Sequence, residues 1–150
     1  MAISIAKVKE LREKTGVGVM DAKNALEEAG GDIANAEKIL SEKGLASASK
    51  RSGRSTSEGS VVSYIHTGGR IGSMLEIKCE TDFVAKTKEF AELGKNIAMQ
   101  IAAMNPTYID RDSIPEDSNN VEDHEILMEQ EYIRDSSMII RDLVNETISK

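Results

Sequence analysis

At 150 residues, 39% of them hydrophobic, the chain is long enough for one ordinary domain, or for a small module beside a medium one. Aromatics make up 3% and tryptophan is absent, so a core must be aliphatic; seven methionines and many alanines suit helices packed through small, adaptable side chains. The net charge of −7 argues against a nucleic-acid groove, whose affinity rests on neutralising phosphates.

The acid is unevenly placed: residues 1–46 carry a net −1, residues 47–104 a net +2, and residues 105–150 a net −8. Such a stretch reads as a solvated face. The single cysteine, Cys79, rules out an intrachain disulfide and fits a reducing compartment. Its alternating neighbours make it a small core filler rather than a nucleophile. No apolar run reaches membrane-spanning length, and the N-terminus shows neither a signal-peptide pattern nor an Arg-rich transit segment. The sequence predicts a soluble, cytoplasmic protein, or one of an organelle matrix or stroma if it is organelle-encoded.

In chain order, residues 1–45 predict three short helices. Ser4 can cap the first, with Ile5, Val8 and Leu11 at helical spacing. The apolar, glycine-flanked loop from Thr15 to Val19 breaks it. Asp21 opens the second, which carries Ala22, Ala25, Leu26 and Ala29 and ends at Gly30-Gly31. Asp32 can cap the third, whose apolar face is Ile33, Ala36, Ile39 and Leu40 and which closes at Lys43-Gly44. Residues 46–58 have linker composition, rich in Ser and with a basic centre at Lys50, Arg51 and Arg54. Those cations could touch phosphates, but a solvated linker is the plainer expectation.

The period then changes to two. An antiparallel hairpin is predicted over 60–80, turning at Thr67-Gly68-Gly69-Arg70, with Ile71, Ser73, Leu75, Ile77 and Cys79 on one face of its second strand. A helix is predicted over 86–104, where Phe90, Leu93, Ile97, Ile101 and Met104 recur every three or four residues until Asn105-Pro106 stops it. Residues 107–120 read as a polar loop, and the apolar residues from Ile126 to Ile148 predict one or two further helices over 121–149. The expected fold class is α+β: a three-helix module at 1–45, a flexible linker at 46–58, and a hairpin packed with helices at 59–150.

Catalytic and metal chemistry find little footing. His66 sits at the hairpin turn, His124 sits among acids, and no nucleophile–base set or clustered ligand set follows from spacing. Glu76, Glu80 and Asp82 are close in sequence, yet strand alternation does not make them converge. No Gly-Lys-Ser/Thr follows the glycine pairs, so no phosphate-binding loop is present. No catalytic residue, metal or cofactor is therefore expected.

The most informative stretch is Cys79-Glu80-Thr81-Asp82-Phe83-Val84-Ala85-Lys86. It places an acid and one of only two phenylalanines at a strand-to-helix corner, a rigid place from which a ring can point outward. Spacing alone also permits Phe83 to pack into its own core.

Two motifs in this order, Leu11 to Lys23 (LREKTGVGVMDAK) and Glu80 to Lys86 (ETDFVAK), resemble signatures of the elongation factor Ts family. The Tyr64-Ile65-His66 strand, the stretch Ala98 to Pro106, Leu127-Met128-Glu129-Gln130 and Arg141 to Glu146 are similar too, so the resemblance covers nearly the whole chain. The chain departs from the family in a shorter stretch between Pro115 and Leu127, and in stopping before a final strand.

The resemblance implies a translation elongation factor that promotes exchange of GDP for GTP on elongation factor Tu. It would have no chemistry of its own, no direct nucleic-acid contact and no membrane association. Thr81, Asp82, Phe83 and Val84 would enter the partner near its magnesium site. The N-terminal module, similar to ubiquitin-associated domains, would dock through Met20 and Lys23. Core packing is an equal alternative for Met20, whereas Lys23 lies on an exposed face. An unpaired sheet edge would also allow a homodimer. The competing expectation is a ubiquitin-associated-like helical binding module without exchange activity, which would have no use for the hairpin and the Asp82-Phe83 corner.

Overall fold

The computed structural model describes residues 3–51 and 53–149; Ser52 of the expected linker and Lys150 lie outside the described residues. The fold is mixed helix and sheet, with an N-terminal helical cluster followed by two small antiparallel sheets packed with helices. The chain divides into two compact units, Met1–Gly53 with Ile148–Lys150, and Arg54–Thr147.

In the first unit, α1 (Ile5–Thr15) starts where the Ser4 hydroxyl accepts from the Lys7 N–H at 3.3 Å. It ends at Gly16, whose φ of 72° would strain any residue with a Cβ. Helix α2 (Val19–Glu28) begins two residues earlier than expected, with Gly18 rather than Asp21 at its boundary. The Gly31 N–H closes it onto the Leu26 carbonyl at 2.8 Å. The Asp32 carboxylate then accepts from the Asn35 N–H at 2.9 Å and opens α3 (Ile33–Arg51).

The core of this unit is Leu11, Ala22, Ala25, Leu26 and Ala36, flanked by Ile3, Val8, Val17, Ile33, Ile39 and Leu40. Alanines at the crossings let the helix backbones approach closely. Helix α3 corrects one expectation: residues 46–51 of the expected linker are helical. Gly44 does not take the left-handed conformation that would end the helix. The alanines beyond it favour a helix, and Lys50 and Arg51 suit its C-terminal dipole.

In the second unit, β1 (Glu58–Ile65) and β2 (Gly72–Cys79) pair antiparallel from Glu58 opposite Cys79 to Ile65 opposite Gly72. Alternation turns Val62, Tyr64, Leu75 and Ile77 toward one face. Next comes α4 (Asp82–Ala85), a single turn, and then α5 (Lys88–Met104). The expected continuous helix over 86–104 is therefore corrected: α5 starts only after its own cap at Thr87. It stops at Asn105 in the left-handed region, φ 46°, just before Pro106.

The buried face of α5 presents Leu93, Gly94, Ile97, Ala98 and Gln100. Leu93 and Ile97 join Leu127, Tyr132 and Ile140 in one core, packed by Leu75, Ile77, Ile101, Leu143 and Val144. At Gly94 a Cβ would lie 2.9 Å from Val62 Cγ2, so the missing side chain sets how closely α5 meets the hairpin.

The C-terminal expectation is overturned in part. Over 121–149 the structure has 3₁₀ turns at Asp123–Glu125 and Leu127–Glu129, then a second hairpin of β3 (Glu131–Tyr132) and β4 (Asp135–Ile139), and only then α6 (Ile140–Ser149). The reason is local: Ile133 and Arg134 form a tight turn between the strands, and at the start of β4 the Ser137 N–H donates to the Asp135 carboxylate at 3.0 Å. The Ser137 hydroxyl first, and then its N–H, hold that carboxyl below the ordinary aspartate range. The loop at 107–120 is tied down by backbone bonds from Leu127 N–H to the Tyr108 carbonyl (2.8 Å) and from Met128 N–H to the Ile109 carbonyl (3.0 Å). Arg111 spans Asp123 and Glu129, and Arg141 also reaches Glu129.

Fully buried Gln100 fastens the second hairpin to α5. Its amide donates to Gln130 Oε1 at 3.1 Å and to the Glu131 carbonyl at 3.0 Å, and its oxygen accepts from the Ile133 N–H at 3.0 Å. Gln130 in turn donates to the His124 carbonyl. Gln100→Leu keeps the volume but strands these groups, so it should lower stability in urea unfolding by about 1–3 kcal/mol or more.

Candidate partner-binding site

The corner after β2 is built from its hydroxyl groups. Buried Cys79 ends the strand, and its S–H donates to the Thr81 carbonyl at 3.1 Å. Thr81 is extended (φ −139°, ψ 155°), and its hydroxyl accepts from the Val84 N–H at 3.3 Å, capping α4. At the other end the Thr87 hydroxyl donates to the Val84 carbonyl at 2.8 Å and accepts from the Phe90 N–H at 3.2 Å. Thr87 thus closes α4 and opens α5 with one side chain.

Within that frame Phe83 is 79% exposed and Val84 is exposed beside it, while Phe90, one turn into α5, is 4% exposed. The core-packing alternative for Phe83 is not what the structure adopts. Asp82 is partly covered, and its carboxylate meets Lys86 Nζ at 2.8 Å, an i,i+4 pair on the outer surface. Glu80 meets Arg54 at 3.2 Å. Thr81, Asp82, Phe83 and Val84 therefore share one short element with an apolar tip and a charged flank. Among the described residues no group of three or more His, Cys, Asp or Glu side chains is placed to hold a metal ion, and no helix is long and apolar enough to cross a membrane.

In the first unit, Met20 is 63% exposed at the start of α2, with exposed Val19 before it. Between the core and surface alternatives for Met20, the structure takes the surface. Lys23, three residues on, shares that face and pairs loosely with Glu27 at 3.7 Å. Val17 instead packs on the unit's core. Val19 and Thr87 join these residues only through the structure. The Thr87 signal was available in Thr87-Lys88-Glu89 opening an apolar helical period, a capping pattern. Nothing local to Val19 distinguishes an exposed from a buried valine.

The family model described as Elongation factor TS matches residues 9–126. The chain belongs to the elongation factor Ts family. Elongation factor Ts of Caldanaerobacter subterraneus subsp. tengcongensis is 48% identical over 178 aligned positions, which cover 99% of this chain and 89% of the relative. That of Thermotoga neapolitana is 45% identical, covering 100% and 90%, and that of Fervidobacterium nodosum is 42% identical, covering 100% and 91%. The aligned span of 178 positions exceeds the 150 residues here, so this chain is a short form within the shared region. As a member of the elongation factor Ts family it is a translation elongation factor of protein biosynthesis.

The exposure difference makes the two phenylalanines a matched test. Phe83→Ala should leave the urea unfolding free energy within about 0.5 kcal/mol, as surface changes do. Phe90→Ala should cost about 3–5 kcal/mol, as buried phenylalanine losses do.

Proposed function

We propose that the chain promotes exchange of GDP for GTP on elongation factor Tu by binding that GTPase and weakening its hold on magnesium and nucleotide. The observation that carries this reading is the exposed Phe83 at the tip of a turn capped at both ends, in a chain that has only one other phenylalanine. Aromatic rings are enriched at the centres of protein interfaces, so a ring held out at a capped corner with exposed Val84 beside it suits a partner contact.

Exchange is a coupling between two ligands on one partner, so the factor and the nucleotide must weaken each other equally. A thousandfold faster release corresponds to about 4 kcal/mol. Burying a phenylalanine of roughly 150–250 Å² at about 25 cal/mol per Å² supplies on the order of 4–6 kcal/mol gross. Association and ordering consume much of that. A second contact is needed, and the Val19–Met20–Lys23 face of the first unit offers an apolar patch with a cation beside it. Linking two modest contacts in one chain raises the effective concentration of each.

Asp82 supplies the polar half of the wedge. Its pair with Lys86 is exposed, so it is worth at most about 1 kcal/mol and is readily exchanged for groups on the partner. An anion brought beside a bound magnesium ion competes for the groups that orient its water ligands. The chain itself transfers no atoms in this scheme.

Release of a fluorescent GDP analogue from elongation factor Tu, with and without the full chain, tests the proposal. Acceleration is expected, and Phe83→Ala should remove most of it. An unchanged release rate over saturating amounts of the chain would refute exchange and leave the ubiquitin-associated-like binding module. Lys23→Ala should raise the half-saturating concentration of the chain more than it lowers the maximal rate, because an anchor contact holds the ground and exchanged complexes alike.

A further inference from the structure

We infer that Thr87 is a positioning residue for exchange, aiming Phe83 by locking the single-turn α4 to the start of α5. The inference rests on the exchange reading above. A four-residue helix has almost no stability of its own, so its direction must be imposed by its neighbours. On the β2 side, the Thr81 hydroxyl accepts from Val84 N–H, and the Cys79 S–H holds the Thr81 carbonyl. On the α5 side, one hydroxyl does both jobs. Thr87 Oγ1 accepts from the Phe90 N–H and donates to the Val84 carbonyl at 2.8 Å.

Val84 is thus gripped by Thr81 through its N–H and by Thr87 through its carbonyl, and it adjoins Phe83. The Phe90 end of the link is fixed because that ring is buried. The chain of contacts runs from a buried ring, through one hydroxyl, to the residue next to the exposed ring. Thr87 itself is exposed and touches no core side chain by these bonds, so its bonds serve the geometry of the corner rather than the burial of apolar surface. Misaiming a reacting group by an ångström can cost on the order of a hundredfold, and a wedge depends on direction in the same way.

Three variants of the full chain separate positioning from folding. Thr87→Val removes both bonds with little change of shape. Thr87→Asp keeps an acceptor for the Phe90 N–H, a good helix cap, but has no proton to donate to Val84. Thr87→Ser keeps both functions. Each is compared with Phe83→Ala in release of a fluorescent GDP analogue from elongation factor Tu over a range of factor concentrations, with urea unfolding measured in parallel. The expected result is a maximal rate lowered about tenfold or more in Thr87→Val and Thr87→Asp, an unchanged half-saturating concentration, and restoration in Thr87→Ser. Should Thr87→Val unfold, Thr87→Asp decides. Full maximal rates in the folded variants, or a loss confined to the half-saturating concentration, would overturn the positioning role while leaving the wedge intact. If Phe83→Ala exchanges at the normal rate, the wedge fails and the inference falls with it, whereas no acceleration by the unaltered chain would refute the exchange reading itself.

Discussion

The second unit depends on how closely α5 lies against the first hairpin, and Gly94 sets that distance. With no side chain there, Val62 comes within what would be 2.9 Å of a Cβ. A two-stranded sheet is marginal in water by itself. It persists here because Leu75 and Ile77 find the Leu93–Ile97–Ile101 stripe of α5, and because Tyr132, Leu127 and Ile140 close the same core from the C-terminal side. The Ser73 hydroxyl adds a bond to the Ala98 carbonyl along this seam. With β2 and α5 held together, the end of one and the beginning of the other are fixed points, and the chain between them has little freedom left.

That constraint turns an ordinary sequence into a projecting device. Only the stretch from Glu80 to Lys86 lies between the end of β2 and Thr87, and it contains one helical turn with a cap at each end. Within α4 itself the half-buried members are Asp82 and Ala85, and the exposed ones are Phe83 and Val84. Phe90, by contrast, sits on the inner stripe of α5 and serves the core. The two phenylalanines of the chain thus divide between holding the corner in place and extending from it.

The first unit is organised on a different principle. Its core is Leu11 and Leu26 set among Ala22, Ala25 and Ala36, so it is built from small and aliphatic side chains alone. The apolar residues of the Gly16–Met20 segment divide between this core and the surface. Only Val17 packs against the core, while Val19 and Met20 remain in water.

Residue patterns by themselves determined the α+β class, the three N-terminal helices, the first hairpin and most of α5, because each rests on short-range periodicity or on a cap within a few residues. The family was also legible, since the Leu11–Lys23 and Glu80–Lys86 motifs are local words. Tertiary structure decided the rest. Whether Phe83 or Met20 faced water depended on what already filled the space behind each: Phe90 and the α5 seam in one case, the alanine core in the other. Residues 131–139 read as helix from their apolar content, but buried Gln100 supplies hydrogen bonds to Glu131 and Ile133 that an extended backbone can meet and a helix, with its own groups paired internally, would not require. The end of α3 and the start of α5 differ from expectation for a local reason. Gly44 and Lys86-Thr87 are each compatible with continuing or stopping a helix: the alanines beyond Gly44 carry α3 on, and the Thr87 hydroxyl, closing α4 and capping α5, breaks the helix there.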